Sequence, residues 1–428
     1  MALSSEMIYA LSHLNRNFCS EDYDKALSWI EERTEAKRIR FTKSGLNGWR
    51  IPPKWDLLEA YIKKDGKLIL DGTKHPLSVI SLSSSFQGLV DLSTLKEHLF
   101  YETYFKISDE AIPFHFRQNY QNWKRDWGFC VSKNFYNSLT DGYYEISIKT
   151  KEKPGYLDVL EMTHKGLTDQ CFYLVSHLDH PGMSNDDLSG CAVGIQLFEE
   201  LKKNRTKYTY KLLIVQEIIG SEYYLHSLPN TEKEKIKGGL FLEMLGSNTP
   251  FSLQRSYFEN SLLFYPLKHA LKEVQKKLKI GKYGSIIGND EIVFEAHQIP
   301  MISLSRFPYP EYHTSFDNPS IIYEASLNES VQVLLSMIKK METDIIVEKC
   351  FTGLCCLSSP DINLYVDLGM TGELATNELR KMRLLMDYLA FIKEPTSVNN
   401  LALRFKLSFK KVYDYLLLWE EKGLIELS

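Results

Sequence analysis

Apolar and polar positions change rhythm several times along the chain. Residues 1–45 carry apolar side chains at helical spacing, Leu11 and Leu14 and then Ala26, Leu27, Trp29 and Ile30, and predict helices. From Trp49 to about Ile148 the runs shorten and alternate. "KLILDG", "LSVISLSSS" and "GYYEISIKT" are broken by Gly, Pro, Asn and Asp, which predicts a β-rich region. Between about Tyr156 and Lys340 apolar strands alternate with amphipathic helices. The strands are "CFYLVSH", "YKLLIVQE", "GGLFLEML" and "IPMISLS"; the helices are Cys191–Leu201, "SLLFYPLKHALKEVQKKL" and Glu329–Met341. That alternation predicts an α/β fold, a mixed and largely parallel sheet sandwiched by helices. Residues 346–375 form a connector with some strand character. The last segments, "LRKMRLLMDYLAFI", "SVNNLALRFK" and "SFKKVYDYLLLWEEKGLIEL", predict three helices and a closing strand or hairpin, with Ser397 and Ser408 as N-caps. This is the outline of a C-terminal winged helix over 376–428. The expected division is therefore 1–45, 46–150, 151–345, 346–375 and 376–428.

Composition narrows the class without naming a function. The 428 residues are 44% hydrophobic and 25% charged, with a formal net charge of −4, so no global charge draws the chain to nucleic acid or to an anionic membrane. No run reaches the roughly 20 apolar residues of a membrane span, and the first residues lack the pattern of a signal peptide. Seven scattered cysteines show no paired CxxC spacing and are read as reduced thiols. The expectation is a cytoplasmic, multidomain protein.

The chemistry gathers where the strands end. In "SHLDHPGMSNDDLSG" His177, Asp179 and His180 follow one strand, and Asp186 and Asp187 precede a helix. Glu217 and Glu243 end two further strands, and His313 lies in "YPEYHTSFDNP" after a fourth. Taken singly, each has an ordinary explanation: a hydrogen-bonded histidine, an acidic N-cap, an Asx-turn. Taken together, they fall where a parallel sheet collects a site. Imidazoles and carboxylates that converge on zinc, with a further carboxylate to take a proton, are the donor set of a zinc hydrolase.

The order "HLD…SNDDLSG…EIIGS…LEMLG…GND…YHTSFD" resembles the di-zinc aminopeptidases and their glutamate-carboxypeptidase relatives. That resemblance implies His177 as a metal ligand with Asp179 orienting it, Asp186 as the bridging ligand, Glu217 as general base and His313 as the last ligand. Glu243 takes the place of a strand-end aspartate ligand, and Asp290 that of a residue near the substrate wall. Three departures stand out. Ile218 replaces a glutamate ligand, Glu243 is one methylene longer than its counterpart, and His180-Pro181 follows the HxD directly. "GWRIPPKWDLLEAYIK", "DWGFCVS", "DGYYEISI", "HPGMSNDDLSG" and "FPYPEYHTSFDNP" are similar to aminopeptidase-like proteins with an inserted β domain and a C-terminal winged helix. Members are often encoded near surface-polysaccharide or natural-product biosynthesis functions. In that subgroup a Cys usually stands at the place of Asp179, so either His177 or His180 is the ligand.

The expected mechanism is hydrolysis of a peptide or amide bond with one zinc ion, two being the alternative. Asp186, His313 and one or both of His177 and His180 hold it, Glu217 moves the proton, and Tyr312 supports the oxyanion. Arg306 is a candidate clamp for a substrate carboxylate, with a structural ion pair as the alternative. The competing readings are a non-catalytic binding or regulatory relative, favoured by Ile218, and an amidase or deacylase acting on a sugar or nucleoside conjugate. In the last helices Lys406, Lys410 and Lys411 are offset by Asp414, Glu420 and Glu421, which disfavours nucleic acid and favours a protein interface. The expected partners are a small peptide or amide conjugate and, through the added domains, further copies of the chain.

Overall fold

The structure is a computed structural model that describes residues 3–104, 107–369 and 376–428. The end of the expected connector, 370–375, lies outside the described residues. The chain divides into two compact units, one of residues 1–257 and 277–332, the other of 258–276 and 333–428.

The first unit is built on an eight-stranded sheet. Its strands lie in the order Lys37–Phe41, Leu157–His164, Thr209–Val215, Cys171–His177, Ile236–Glu243, Met301–Ser305, Ser252–Gln254 and Lys279–Gly281. The four central strands, from Thr209–Val215 to Met301–Ser305, run parallel. Cys171–His177 is buried at every position. Tyr173 and Val175 join the cluster of Val215, Phe241 and Phe294, while Phe172 packs on Tyr208 and Tyr210. A strand covered on both faces reads as a continuous apolar run, and each such side chain contributes about 1.5–3 kcal/mol by burial. Neighbouring strands end in register, Val215 beside His177 and Glu243 beside Ser305, which brings their carboxyl ends to one edge.

Two N-terminal helices, Leu3–Leu11 and Glu21–Glu31, precede the sheet, the second capped by Ser20 accepting from the Tyr23 amide. Residues 1–45 also hold the edge strand Lys37–Phe41, which the helical expectation missed. Its "KRIRF" offers only two apolar residues, and it is held by antiparallel pairing with Leu157–His164 and by Arg40 on Asp158 at 2.7 Å. The β-rich expectation for the following region corresponds to a four-stranded antiparallel sheet of Lys54–Lys64, Lys67–Asp71, Phe86–Asp91 and Tyr143–Lys153. "LSVISLSSS" does not pair as a strand; within it only Val79 makes an isolated bridge, to Phe129.

The second unit has a core of its own around Leu385, Leu389, Leu401, Leu416 and Trp419. Helices Asn377–Phe391, Val398–Phe405 and Phe409–Glu421 surround it, and Ser397 and Ser408 cap the last two. The strand Ile346–Lys349 lies between Thr396–Ser397 and Ile425–Leu427 in a three-stranded antiparallel sheet. Among the described residues no helix is long and apolar enough to cross a membrane.

Candidate active site

Every residue from His177 to Gly190 is buried, although most are polar. A buried turn must satisfy its backbone groups within the protein, and here side chains do much of that and also tie the turn to its neighbours. Arg16, with no exposed surface, donates to the carbonyls of Leu178 at 2.9 Å, His180 at 2.6 Å and Met183 at 2.8 Å, and to that of Leu11. Burial pushes its pKa down to about 10, which leaves it charged at neutral pH. Asp317 accepts from the amides of Ser184, Asn185 and Asp186 and from the Tyr309 hydroxyl. Asn185 Oδ1 accepts from the amides of Gly246 and Ser247, and Asp187 Oδ1 from those of Gly190 and Met244. A Cβ at Gly190 would stand 2.4 Å from both Asp187 Oδ1 and the Leu242 carbonyl, so the last position of "SNDDLSG" has room only for glycine.

This scaffold presents Asp186 to three imidazoles. His177 Nε2 lies 3.1 Å from Oδ1; His313 Nε2 lies 3.1 Å and His180 Nε2 3.6 Å from Oδ2. Burial opposes a charged Asp186, yet the facing imidazoles of His180, His177 and His313 hold its carboxyl well below the usual range. Burial likewise works against a protonated His177, but the contact with Asp186 outweighs it and the imidazole is raised; His313 is lowered by burial. The two nitrogens of His177, Nε2 of His313 and both oxygens of Asp186 are buried without an aligned hydrogen bond. Atoms of this kind, close together but not hydrogen-bonded to one another, suit a divalent cation held by imidazole and carboxylate. Ligand atoms of His177, His180 and Asp186 fall within 4.8 Å of one another, as do those of Asp179, His180 and Glu217.

Glu217 stands beside this cluster on a tight turn. Its amide donates to Asp179 Oδ1 at 2.8 Å, and its Oε2 accepts from the Tyr120 hydroxyl. Ile218, with φ 63° and ψ −61°, is the centre of a γ-turn closed by the Ile219 amide on the Glu217 carbonyl at 2.6 Å. A β-branched residue at positive φ is strained. Asp290 holds the turn by accepting from the Ile218 amide at 3.1 Å and from the Ser221 hydroxyl. Burial raises the Asp290 pKa to about 7.

The sequence-derived residues therefore divide. His177, His180, Asp186, His313, Asp179 and Glu217 are brought together. Tyr312 stacks on His313 with ring centroids 3.8 Å apart. Glu243 is buried and accepts from Asn289 Nδ2 at 2.7 Å; it shares no such close group with His177 among the described residues. Asp290 is wholly buried and anchors the Ile218 turn in place of lining a substrate wall. Arg306 is spent on Glu329 at 2.5 Å and on the Thr249 carbonyl, the structural ion pair rather than the clamp. Arg16, Asp317 and Tyr120 escaped the sequence reading. Tyr120 had no motif to mark it, whereas Asp317 sits in "HTSFDNP" and was in view without a role. The stretch leading to Tyr120 also shapes the site: Phe114 packs on His180 and His313, Phe116 on His313, and the Phe114 amide donates to the His313 carbonyl at 2.9 Å.

A mixed, mostly parallel sheet with a histidine–aspartate cluster at its carboxyl edge defines an α/β protein whose fold is similar to that of solved aminopeptidases. The chain belongs to the family described as "Domain of unknown function (DUF4910)", whose model matches residues 5–344. A Clostridium acetobutylicum protein named for polysaccharide biosynthesis and an aminopeptidase-like domain is 29% identical over 314 residues, 72% of this chain and 70% of its own. A crystal structure from the same organism, named for a peptidase, is similar with a TM-score of 0.76 at 22% identity, over 99% of this chain and 96% of that one. A zinc aminopeptidase from Bacillus subtilis is similar with a TM-score of 0.57 at 15% identity, over 79% of this chain and 94% of that one. At these identities the two solved structures establish the fold.

Proposed function

We propose that the chain is a zinc-dependent hydrolase of the aminopeptidase type that cleaves an amide or peptide bond. The observation that carries this is Asp186, whose two buried oxygens face three imidazoles with Glu217 alongside. His177, His180, Asp186 and His313 would hold one zinc ion, and Glu243 would join them if a second is bound. Bound zinc supplies polarisation of the substrate carbonyl and acidification of water. Glu217 takes the proton from the attacking water at a carboxylate oxygen and returns it to the leaving amine. Asp179 fixes the Glu217 backbone, and the Tyr120 hydroxyl holds Oε2.

Replacing Glu217 by Gln should lower kcat by about 10²–10⁴-fold, the range of general acid–base catalysis, while zinc content stays at the wild-type value. Unchanged amide hydrolysis in Glu217→Gln would refute the role. Ile218, standing where a ligand is expected, favours a second reading, a non-catalytic binding or regulatory protein; that reading requires no turnover from zinc-loaded protein. The C. acetobutylicum relative named for polysaccharide biosynthesis supports a sugar- or nucleoside-conjugated amide as the substrate alongside a small peptide. We further read the β-rich sheet as an inserted domain over 46–150, the last three helices as a winged helix, the chain as a homo-oligomer through these additions, and its place as the cytoplasm.

A further inference from the structure

A cleft of about 260 Å³ adjoins Glu217 and is not used by the mechanism above. Trp49, Arg50, Asn119, Tyr120, Trp123 and Ile219 line it. Two of these tie it to the chemistry: Tyr120 donates to Glu217, and Ile219 follows Glu217 by two residues. A group seated in the cleft therefore lies one side chain away from the proposed base.

The lining specifies what such a group would be. Two indoles and a phenol contribute to the lining, and Trp123, 57% exposed, presents an indole surface that suits a ring. Arg50 sits over the Trp123 ring at 5.0 Å. Among the described residues Arg50 has no carboxylate partner, which leaves its planar fork for one. Asn119 lines the cleft and is only 3% exposed, and its Oδ1 has no hydrogen-bond partner. The volume is below the roughly 300 Å³ at which pockets for drug-sized ligands begin, and so fits one substituted ring.

We infer that this cleft is a substrate subsite for a six-membered ring bearing a carboxylate, either a sugar acid or an aromatic acid, joined to the amide that Glu217 acts on. The inference rests on the hydrolase reading for its catalytic meaning, but the binding is tested without turnover. Glucuronate, benzoate, glucose and hexanoate are titrated against the full chain by saturation-transfer NMR, with Trp123→Ala and Arg50→Ala in parallel. At least one ring acid should bind about tenfold tighter than hexanoate, a stacking-sized effect, and lose that margin in Trp123→Ala. Arg50→Ala should weaken the acid and leave glucose unchanged. Preference for glucuronate identifies a glycosyl source and for benzoate an aryl source. Hexanoate binding as tightly as both rings, or ring binding indifferent to Trp123→Ala, overturns the subsite. If ring binding behaves as expected but no amide is hydrolysed, the catalytic reading falls and the subsite stands. If amides are hydrolysed with kcat/KM unaffected by Trp123→Ala, the reverse holds.

Discussion

Asp186 has no route to solvent for its charge, and everything around it answers that condition. Three imidazoles face its oxygens, Asp317 takes its amide, and Arg16 holds the carbonyls of the preceding turn. Glu217 is treated differently: it is half-buried, held from one side by Asp179 and from the other by Tyr120. Burial and the neighbouring Glu217 carboxylate raise the Tyr120 phenol well above its ordinary value, so it remains a donor at any working pH. A hydrogen bond to a charged group contributes about 1.5–3 kcal/mol. Tyr120→Phe should therefore lower kcat by about 10- to 100-fold with little change in KM or in zinc content. An unchanged kcat would show that Asp179 positions Glu217 alone.

The turn between strand Cys171–His177 and helix Gly190–Leu201 is the element on which the site depends. It is irregular and buried, so its order comes from side chains supplied by distant parts of the chain. Arg16→Met would keep much of the volume but leave four carbonyls without their donor. The expected result is a loss of stability on the order of 3 kcal/mol, read by denaturant unfolding, together with weaker zinc binding. A full-stability Arg16→Met protein would show that water replaces the guanidinium.

This dependence on distant residues also marks the limit of what was legible in the sequence. "SNDDLSG", "HLDHP" and "YHTSFD" are local, and their ligand chemistry could be read from residue type and placement after a strand. Strand Cys171–His177 was equally plain from its apolar run. Tyr120 and Arg16 reach the site across 97 and 162 positions, to Glu217 and Leu178, and nothing in their neighbourhoods announces it. Lys37–Phe41 was hidden for a different reason: its order comes from edge pairing and from Asp158, with little apolar alternation. Arg306 and Asp290 were over-read because residue type and position do not reveal a partner such as Glu329 or the Ile218 amide.

For the molecule as a whole, we propose from its charge that nucleic acid is not a partner. The net charge is −4, and the lysines of the last helix are already engaged, Lys410 with Asp414 at 2.8 Å and Lys411 with Glu378. Phosphate contacts dominate affinity for duplex DNA and make it steeply salt-dependent. Duplex DNA should show no salt-dependent binding to the full chain, and Lys410→Glu with Lys411→Glu should change nothing. Binding that falls steeply with added salt and disappears in that variant would make the C-terminal helices a DNA reader. The exposed Leu58, Leu68, Leu89 and Tyr143 on the four-stranded sheet offer apolar surface better suited to protein.

We propose that the histidine–aspartate cluster holds zinc for amide hydrolysis. The most direct test is a zinc titration of chelator-stripped protein, following bound metal by mass spectrometry and turnover of an aminoacyl amide panel together. Turnover should appear with zinc and saturate as the Asp186 site fills, and Asp186→Asn should abolish both tight binding and turnover. Protein that binds no zinc at this site, or that fills it and hydrolyses no amide, would refute a zinc hydrolase.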